Sequence, residues 1–404
     1  MNNPVFTKKM KNSHTILFPE MLEYHSELIA SAFISCGYKM KVMHQKSDIN
    51  EALRYINHDY CYPAVLIVGQ ILSTLANKQN KDQPFAILEP QSGGSCRAGN
   101  YYHVIKTVLH HAGYTNIPVI SLNAHGQEKH PGFQISLKLI QVAFAAIYYG
   151  DLLMNLYQQT IYRETSNGIA KEKQMKWTKY LCKELEMSRG YRKKDLISYT
   201  KKILQEFSQI NDKSTTDKKN ALIGEIYIKF SNLGNHNLEA YLSSNQHPYQ
   251  MSGFFNYCLY ILDSELENAK LQGLSQVYQT ILRKLIRFSN HLQSNLYTCY
   301  DEFFEFTPDT CFPELKKKTN GILNHSCNSR DGWLILAEAV DFLEKGFTNV
   351  LILHPFGCMV SHVCERGIIK QLHIAYPHAS IHTIEYDRDS TKTLLESRIM
   401  LALA

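Results

Sequence analysis

Apolar residues run along this chain in two alternating rhythms. Short runs rich in aliphatic residues occur in KMKVMHQ, PFAILEPQ (84–91), NIPVISLN, TNVLILHP and ASIHTIEYD, and each predicts a strand. Between them ELIASAFISCGY, PAVLIVGQILSTLANK, RAGNYYHVIKTVLHHAG and WLILAEAVDFLEKG carry apolar residues without strict alternation, as helices do. Pro63 sits where a helix would take it in its first turn, and Gly113 and Gly346 stand where helices would stop. GCMVSHVCERGIIKQLHIAYP predicts a helix opened by a glycine turn. HTILFPEML (14–22) reads as a strand running into a helix, and ALIGEIYIKF carries a strand signal. From Phe133 to Ser208 the pattern is helical and rich in tyrosine and lysine, and QINDKSTTDKKN (209–220) is polar and aperiodic. SELENAKLQGLSQVYQTILRKLIRFSNHLQ reads as a long amphipathic helical region. Strands alternating with helices indicate parallel sheets covered on both faces. The expected fold is α/β: a first lobe over 1–130, a helical segment over 131–210, a linker at 211–220 and a second lobe over 221–404.

Length and composition support two lobes rather than one. The chain has 404 residues, 44% of them hydrophobic, more than a single small core needs. No run approaches the roughly 18 uninterrupted apolar residues of a membrane span, and MNNPVFTKKMKNSH lacks the apolar stretch of a secretory signal. These features lead us to expect a soluble cytoplasmic protein. A net charge of +6 is modest, and the lysines around 171–195 fall at helical spacing, so a solvated face is expected rather than a nucleic-acid stripe.

The ten cysteines carry the candidate chemistry. Without export they should be reduced thiols, and most free cysteines are small buried hydrophobes. Cys36, Cys182 and Cys258 lie inside helical or apolar runs and fit that description, while Cys299, Cys311, Cys327 and Cys364 stay open. Three others share one kind of position. Cys61 precedes the proline that opens a helix, Cys96 ends the glycine-rich loop QSGGSC between a strand and a helix, and Cys358 lies in HPFGC, again between strand and helix. Helix starts favour thiolates, and loops at the carboxyl ends of parallel strands are where such sheets place their sites. Gly93, Gly94 and Gly357 allow backbone to approach a bulky group. Three thiolates can hold three irons of a [4Fe–4S] cube and leave the fourth open. Three unrelated thiols remain an alternative, and a catalytic Cys96 is a weaker one, since nothing fixes a histidine base beside it. With no C-x₂-C pair, a zinc ribbon is not expected.

Five stretches, YINHDYCYPAVLIVGQI, EPQSGGSCRAGNYYHVIKTVLHHAGY, IPVISLNAHGQEKHPGF, GEIYIKFSNLGNHNLEAYL and HPFGCMVSHVCERGIIKQL, resemble the 2-hydroxyacyl-CoA dehydratase superfamily. They are most similar to the dehydratase-like section of acyl-CoA dehydratase activase-related proteins. The resemblance runs from about Phe18 to the C-terminus and is thin over 155–215 and 260–320. It implies two Rossmann-like lobes with a [4Fe–4S] cluster between them, held by Cys61, Cys96 and Cys358. Related members carry double-cubane clusters, for which Cys327 or Cys364 would be available. It further implies anaerobic metabolism, an electron delivered by an ATP-hydrolysing activase, an acyl-CoA substrate and a homodimer. The chain has no G-x-x-x-x-G-K-[ST] loop, so the activase would be a separate polypeptide. SRDGW (329–333) places Arg330 where the family usually has glycine, and GGSC replaces GGGC. Around the cysteines we expect supporting roles for Gly94, Ser95, Asn100, His354, Gly357, His362 and Glu225. Ordinary packing is the competing role for Asn100, Tyr101 and Tyr102, and a structural role for the two histidines. Asn235 resembles a position lining the second lobe, and Glu338 is either a buried acid or an exposed helix residue. A non-catalytic electron carrier or assembly subunit, or a relative without any cluster, would share the same pattern.

Overall fold

The computed structural model describes residues 4–44, 46–77, 80, 83–90, 96–122, 129–165, 168–210 and 219–403. Its strands form two sheets of four, and every pairing is parallel. The first sheet comprises β1 (Thr15–Pro19), β2 (Lys39–Met43), β3 (Phe85–Pro90) and β4 (Val119–Leu122), in the order β2-β1-β3-β4. The second comprises β5 (Asn220–Gly224), β6 (Tyr249–Met251), β7 (Asn349–Pro355) and β8 (Ser380–Tyr386), in the order β6-β5-β7-β8. Both are Rossmann-like. In each, the first strand pairs with the second on one side and the third on the other, so the order reverses between β1 and β3 and between β5 and β7. A crevice opens at such a reversal, beyond the carboxyl ends of the strands.

The central strands are buried along most of their length because helices cover both faces, which is why they read as continuous apolar runs. Helices Leu137–Thr160, Ile169–Glu186 and Lys193–Ser208 make up the insert. The first two pack on helix Ser26–Ile34 of the first lobe, and Leu137–Thr160 also packs on β6 and on helix Phe254–Leu271 of the second. Asp151 joins these parts: its Oδ1 lies 2.8 Å from His25 Nε2, and its carboxylate accepts from the Phe254 and Phe255 N–H groups at 2.6 and 2.8 Å. Gly150 makes room, since a Cβ there would lie 2.1 Å from His25 Cδ2. One apolar core consequently runs through both lobes. Among the described residues one helix, Leu137–Thr160, is long and apolar enough to cross a membrane, and 72% of its apolar window is buried inside the fold.

Several elements depart from expectation. ALIGEIYIKF is not one strand: β5 ends at Gly224 and a short helix, Ile226–Phe230, follows. Gly224 has φ +129, and a Cβ there would lie 2.0 Å from the Leu353 carbonyl oxygen, so the chain turns against β7. The long region after residue 263 is two helices, Phe254–Leu271 and Gln276–Tyr297, parted at Gly273 with φ +65. HTILFPEML holds only β1, and the next helix waits until Ser26. Strand β6 and the final helix Lys392–Leu403 were not foreseen. Most of the expected linker, 211–218, lies outside the described residues, and its last position, Asn220, begins β5.

Candidate functional site

Two of the three cysteines, Cys61 and Cys96, come from the first lobe, and Cys358 comes from the second, where the turn before it meets Cys61. Cys61 is the N-cap of helix Tyr62–Ala76, with extended backbone that lets Pro63 occupy the first turn. Cys96 is the N-cap of a 3₁₀ turn, Arg97–Asn100, that leads into helix Tyr101–His111. Cys358 follows β7 by a two-residue turn, Phe356–Gly357. The Tyr62 N–H donates to the Phe356 carbonyl across the lobes at 3.2 Å. Gly357 has φ +74, and a Cβ there would lie 3.3 Å from Cys61 Cα. Glycine is needed on both counts, the left-handed backbone and the close approach.

Each sulfur has a polar neighbour. The Cys61 thiol lies 2.6 Å from the Tyr101 hydroxyl, Cys96 Sγ accepts from the Ala98 N–H at 3.4 Å, and Cys358 Sγ accepts from the Ser361 hydroxyl at 3.2 Å. Burial pushes all three thiols up, with the nearby Glu225 carboxylate pushing the same way on each. The upward direction corrects the expectation that helix starts would lower them, because desolvation outweighs the helix-end field in a closed cleft. A ligand that binds thiolates would therefore displace protons on entering.

Glu225 organises the polar frame. Its Oε2 accepts from the Tyr227 and Ile228 N–H groups, both at 3.0 Å, and so caps helix Ile226–Phe230. Its Oε1 accepts from Arg330 Nη2 at 3.2 Å. Arg330 holds φ +53, a left-handed backbone that glycine would adopt without strain. Its Nε lies 3.8 Å from Asp331 Oδ2. Burial raises the Asp331 carboxyl to about 8, against the pull of Arg330. Glu89, at the end of β3, is raised to about 8 in the same way. Below this frame Lys229 Nζ donates to both Glu338 oxygens, at 3.0 and 3.2 Å, which makes Glu338 a buried acid.

Other expected residues fall elsewhere. Gly94 and Ser95, with the rest of the 92–95 loop, lie outside the described residues. Asn100 is exposed, a correction to its expected place beside the sulfurs, because the 3₁₀ turn rotates it outward and brings Tyr101 inward. Tyr102 is fully buried and packs beneath the Lys106 ammonium. His362 places Nδ1 2.7 Å from the Cys358 carbonyl oxygen and Nε2 3.3 Å from Glu385, so it holds the turn rather than a sulfur. His354 is wholly buried, and burial, then Arg366 and His362, lower it to about 4. Its nearest acids are Glu365 at 3.8 Å and Glu385 at 3.9 Å. Asn235 Nδ2 donates to the Ile228 carbonyl at 2.9 Å and shapes the turn after that helix. Cys364 is raised to about 11 by burial and then by its neighbour Cys327, so these two thiols adjoin.

Sequence reasoning missed Glu89 and Asp331. The available signal was Glu89, the lone charge in the apolar run FAILEP. Among the described residues no three His, Cys, Asp or Glu side chains gather closely enough for one metal ion. A cubane makes a different demand, since its sulfur ligands attach to separate irons around it rather than to one point. Two buried thiols, Cys61 and Cys358, and the partly buried Cys96, each with a polar neighbour, supply the kind of donor set a cubane takes. A larger cavity, about 360 Å³, opens at the other end of the second sheet between Lys219, Tyr249 and Phe347, where no cysteine lines it. Comparison with models of known protein families finds no match for this chain, and comparison with curated proteins finds none either.

Proposed function

We propose that Cys61, Cys96 and Cys358 hold a [4Fe–4S] cluster in the interlobe cleft. On this reading the protein is an iron–sulfur component of the 2-hydroxyacyl-CoA dehydratase type, receiving electrons from a separate ATP-hydrolysing activase for a low-potential reduction or reductive dehydration. The observation that carries the reading is the close approach of cysteine-bearing helix starts from two lobes, with Gly357, next to Cys358, pressed against Cys61. When bound, the cluster would supply one-electron chemistry at an iron that no protein sulfur covers.

The chain's own groups then have definite work. Tyr101, the Ala98 N–H and Ser361 are placed to donate to the sulfurs, which tunes a cluster's potential. The apolar side chains of Met21, Pro63, Ile67, Ile226 and Ile261 keep water out beside them. Phe356, Met359 and Val363, 45, 50 and 67% exposed, form an apolar rim around Cys358 that offers an electron donor a place to dock.

Iron and sulfide analysis of anaerobically purified protein tests this directly. Replacing Cys61, Cys96 or Cys358 by alanine should each strip most of the iron, while Cys182→Ala should keep it. Full iron content in any of the first three, or none in the wild type, would refute the assignment. A shift in the electron paramagnetic spectrum on adding a small ligand would distinguish an open iron from a relay cluster with four protein ligands.

A further inference from the structure

Next to the sulfurs lies a cavity of about 120 Å³ that closes between the lobes. Its walls are largely apolar: Ile67 and Pro90 from the first lobe, Ile226, Phe254 and Ile261 from the second. Two charged residue types enter it, Glu89 from the end of β3 and Arg330 from the loop before helix Gly332–Glu344. Glu89 is 2% exposed, and its Oε2 has no hydrogen-bond partner among the described residues. A buried polar atom left so costs on the order of 1–3 kcal/mol, and its persistence in a cavity invites a ligand that satisfies it. An apolar chamber with a few convergent polar groups is the usual form of a small-molecule site.

We propose that this cavity binds the carboxylate of a short-chain monocarboxylic acid, held by the Arg330 guanidinium and the Glu89 carboxyl, with its hydrocarbon tail against the apolar walls. Three features select that class. The guanidinium is only 10% exposed, lines the cavity beside its bond to Glu225, and brings to it a planar cation whose shape suits a carboxylate. Burial raises Glu89 and Asp331 to about 8, which favours their neutral forms at pH 7 and leaves Glu89 a proton to donate, and the remaining carboxylate, Glu225, is already paired with Arg330. The volume is that of roughly four waters at liquid density, enough for a head group and a few carbons. Arg330 carries this role at a backbone cost, since its left-handed φ of +53 is one that glycine would hold without strain. The cavity is made by packing of the lobes and does not depend on iron.

The test is calorimetric titration of butyrate into the full-length protein at pH 7, with butylamine as the cationic control, on iron-free and iron-loaded samples. Butyrate should bind one to one in both samples and butylamine in neither. Arg330→Gly should weaken butyrate at least about tenfold, the loss of a charge-assisted pair, and should also lower the thermal unfolding temperature, because Glu225 is left buried without its cation. Glu89→Gln, whose amide still donates, should stay within about threefold of wild type, and Glu89→Leu should abolish binding. The proposal is overturned if wild type shows no saturable butyrate binding, if Arg330→Gly binds as wild type does, or if butylamine binds as well. Binding confined to the iron-loaded sample would assign the ligand to the metal and overturn it too, whereas butyrate binding with iron absent from every sample would sink only the cluster.

Discussion

Replacing Glu338 by glutamine should cost far more than its small change in shape suggests. Lys229 and Glu338 are 2 and 1% exposed and face one another under the candidate site, with Lys229 Nζ also donating to Ser252 Oγ at 3.0 Å. The pair ties the short helix that Glu225 caps to helix Gly332–Glu344, whose first turn carries Asp331 as its cap position. Two hydrogen bonds at 3.0 and 3.2 Å spread the ammonium charge over both carboxylate oxygens. With glutamine the ammonium keeps its desolvation penalty and loses its counter-charge, and breaking a buried pair in this way costs about 3–5 kcal/mol. The double substitution Lys229→Met, Glu338→Leu removes both charges and fills the volume, so it should be neutral or stabilising by about 1–4 kcal/mol. Urea unfolding followed by fluorescence reports the difference, because Trp333 is fully buried on the same helix. A single-variant cost under about 1 kcal/mol, or a double variant as unstable as the single, would refute the argument that unpaired burial of charge dominates.

Two further outcomes follow from groups around the cleft. Glu89 titrates at about 8 in the fold against 4.5 unfolded, so the folded protein holds an extra proton between those values. Its contribution to stability is therefore complete below about pH 4.5 and is lost as pH rises to about 8. Glu89→Gln should remove that slope, gaining on wild type by up to roughly 1.4 kcal/mol per pH unit across the window; parallel stability profiles from pH 5 to 8 would contradict it. Asp151→Ala should cost about 2–4 kcal/mol, since it removes a helix cap and leaves His25 buried without its acid. Hydrogen exchange should then speed at the Phe254 and Phe255 amides, and unchanged exchange there would rule out the cap as a link between lobes.

Much of the architecture was written locally. The runs ILFP, FAILEP and VLILHP are apolar up to their carboxyl ends, where Glu89 and His354 stand, because parallel strands covered on both faces have no wet side, and that property needs no partner to be recognised. Cys61 before Pro63, and Cys96 and Cys358 after strand ends, likewise announced helix starts through backbone rules that act over a few residues. Tertiary structure decided the remainder. Whether IYIKF extends a strand or turns into a helix depended on how Gly224 meets Leu353, more than a hundred residues away. That Tyr101 rather than Asn100 faces Cys61 depended on the 3₁₀ turn and on contacts within the first lobe, and that Glu89 and Arg330 enter one cavity depended on how two lobes close. The direction of the thiol shifts reversed for the same reason. A helix start acts on its own residue from within the sequence, but desolvation comes from every atom that folding brings near, and only the assembled cleft sets its size.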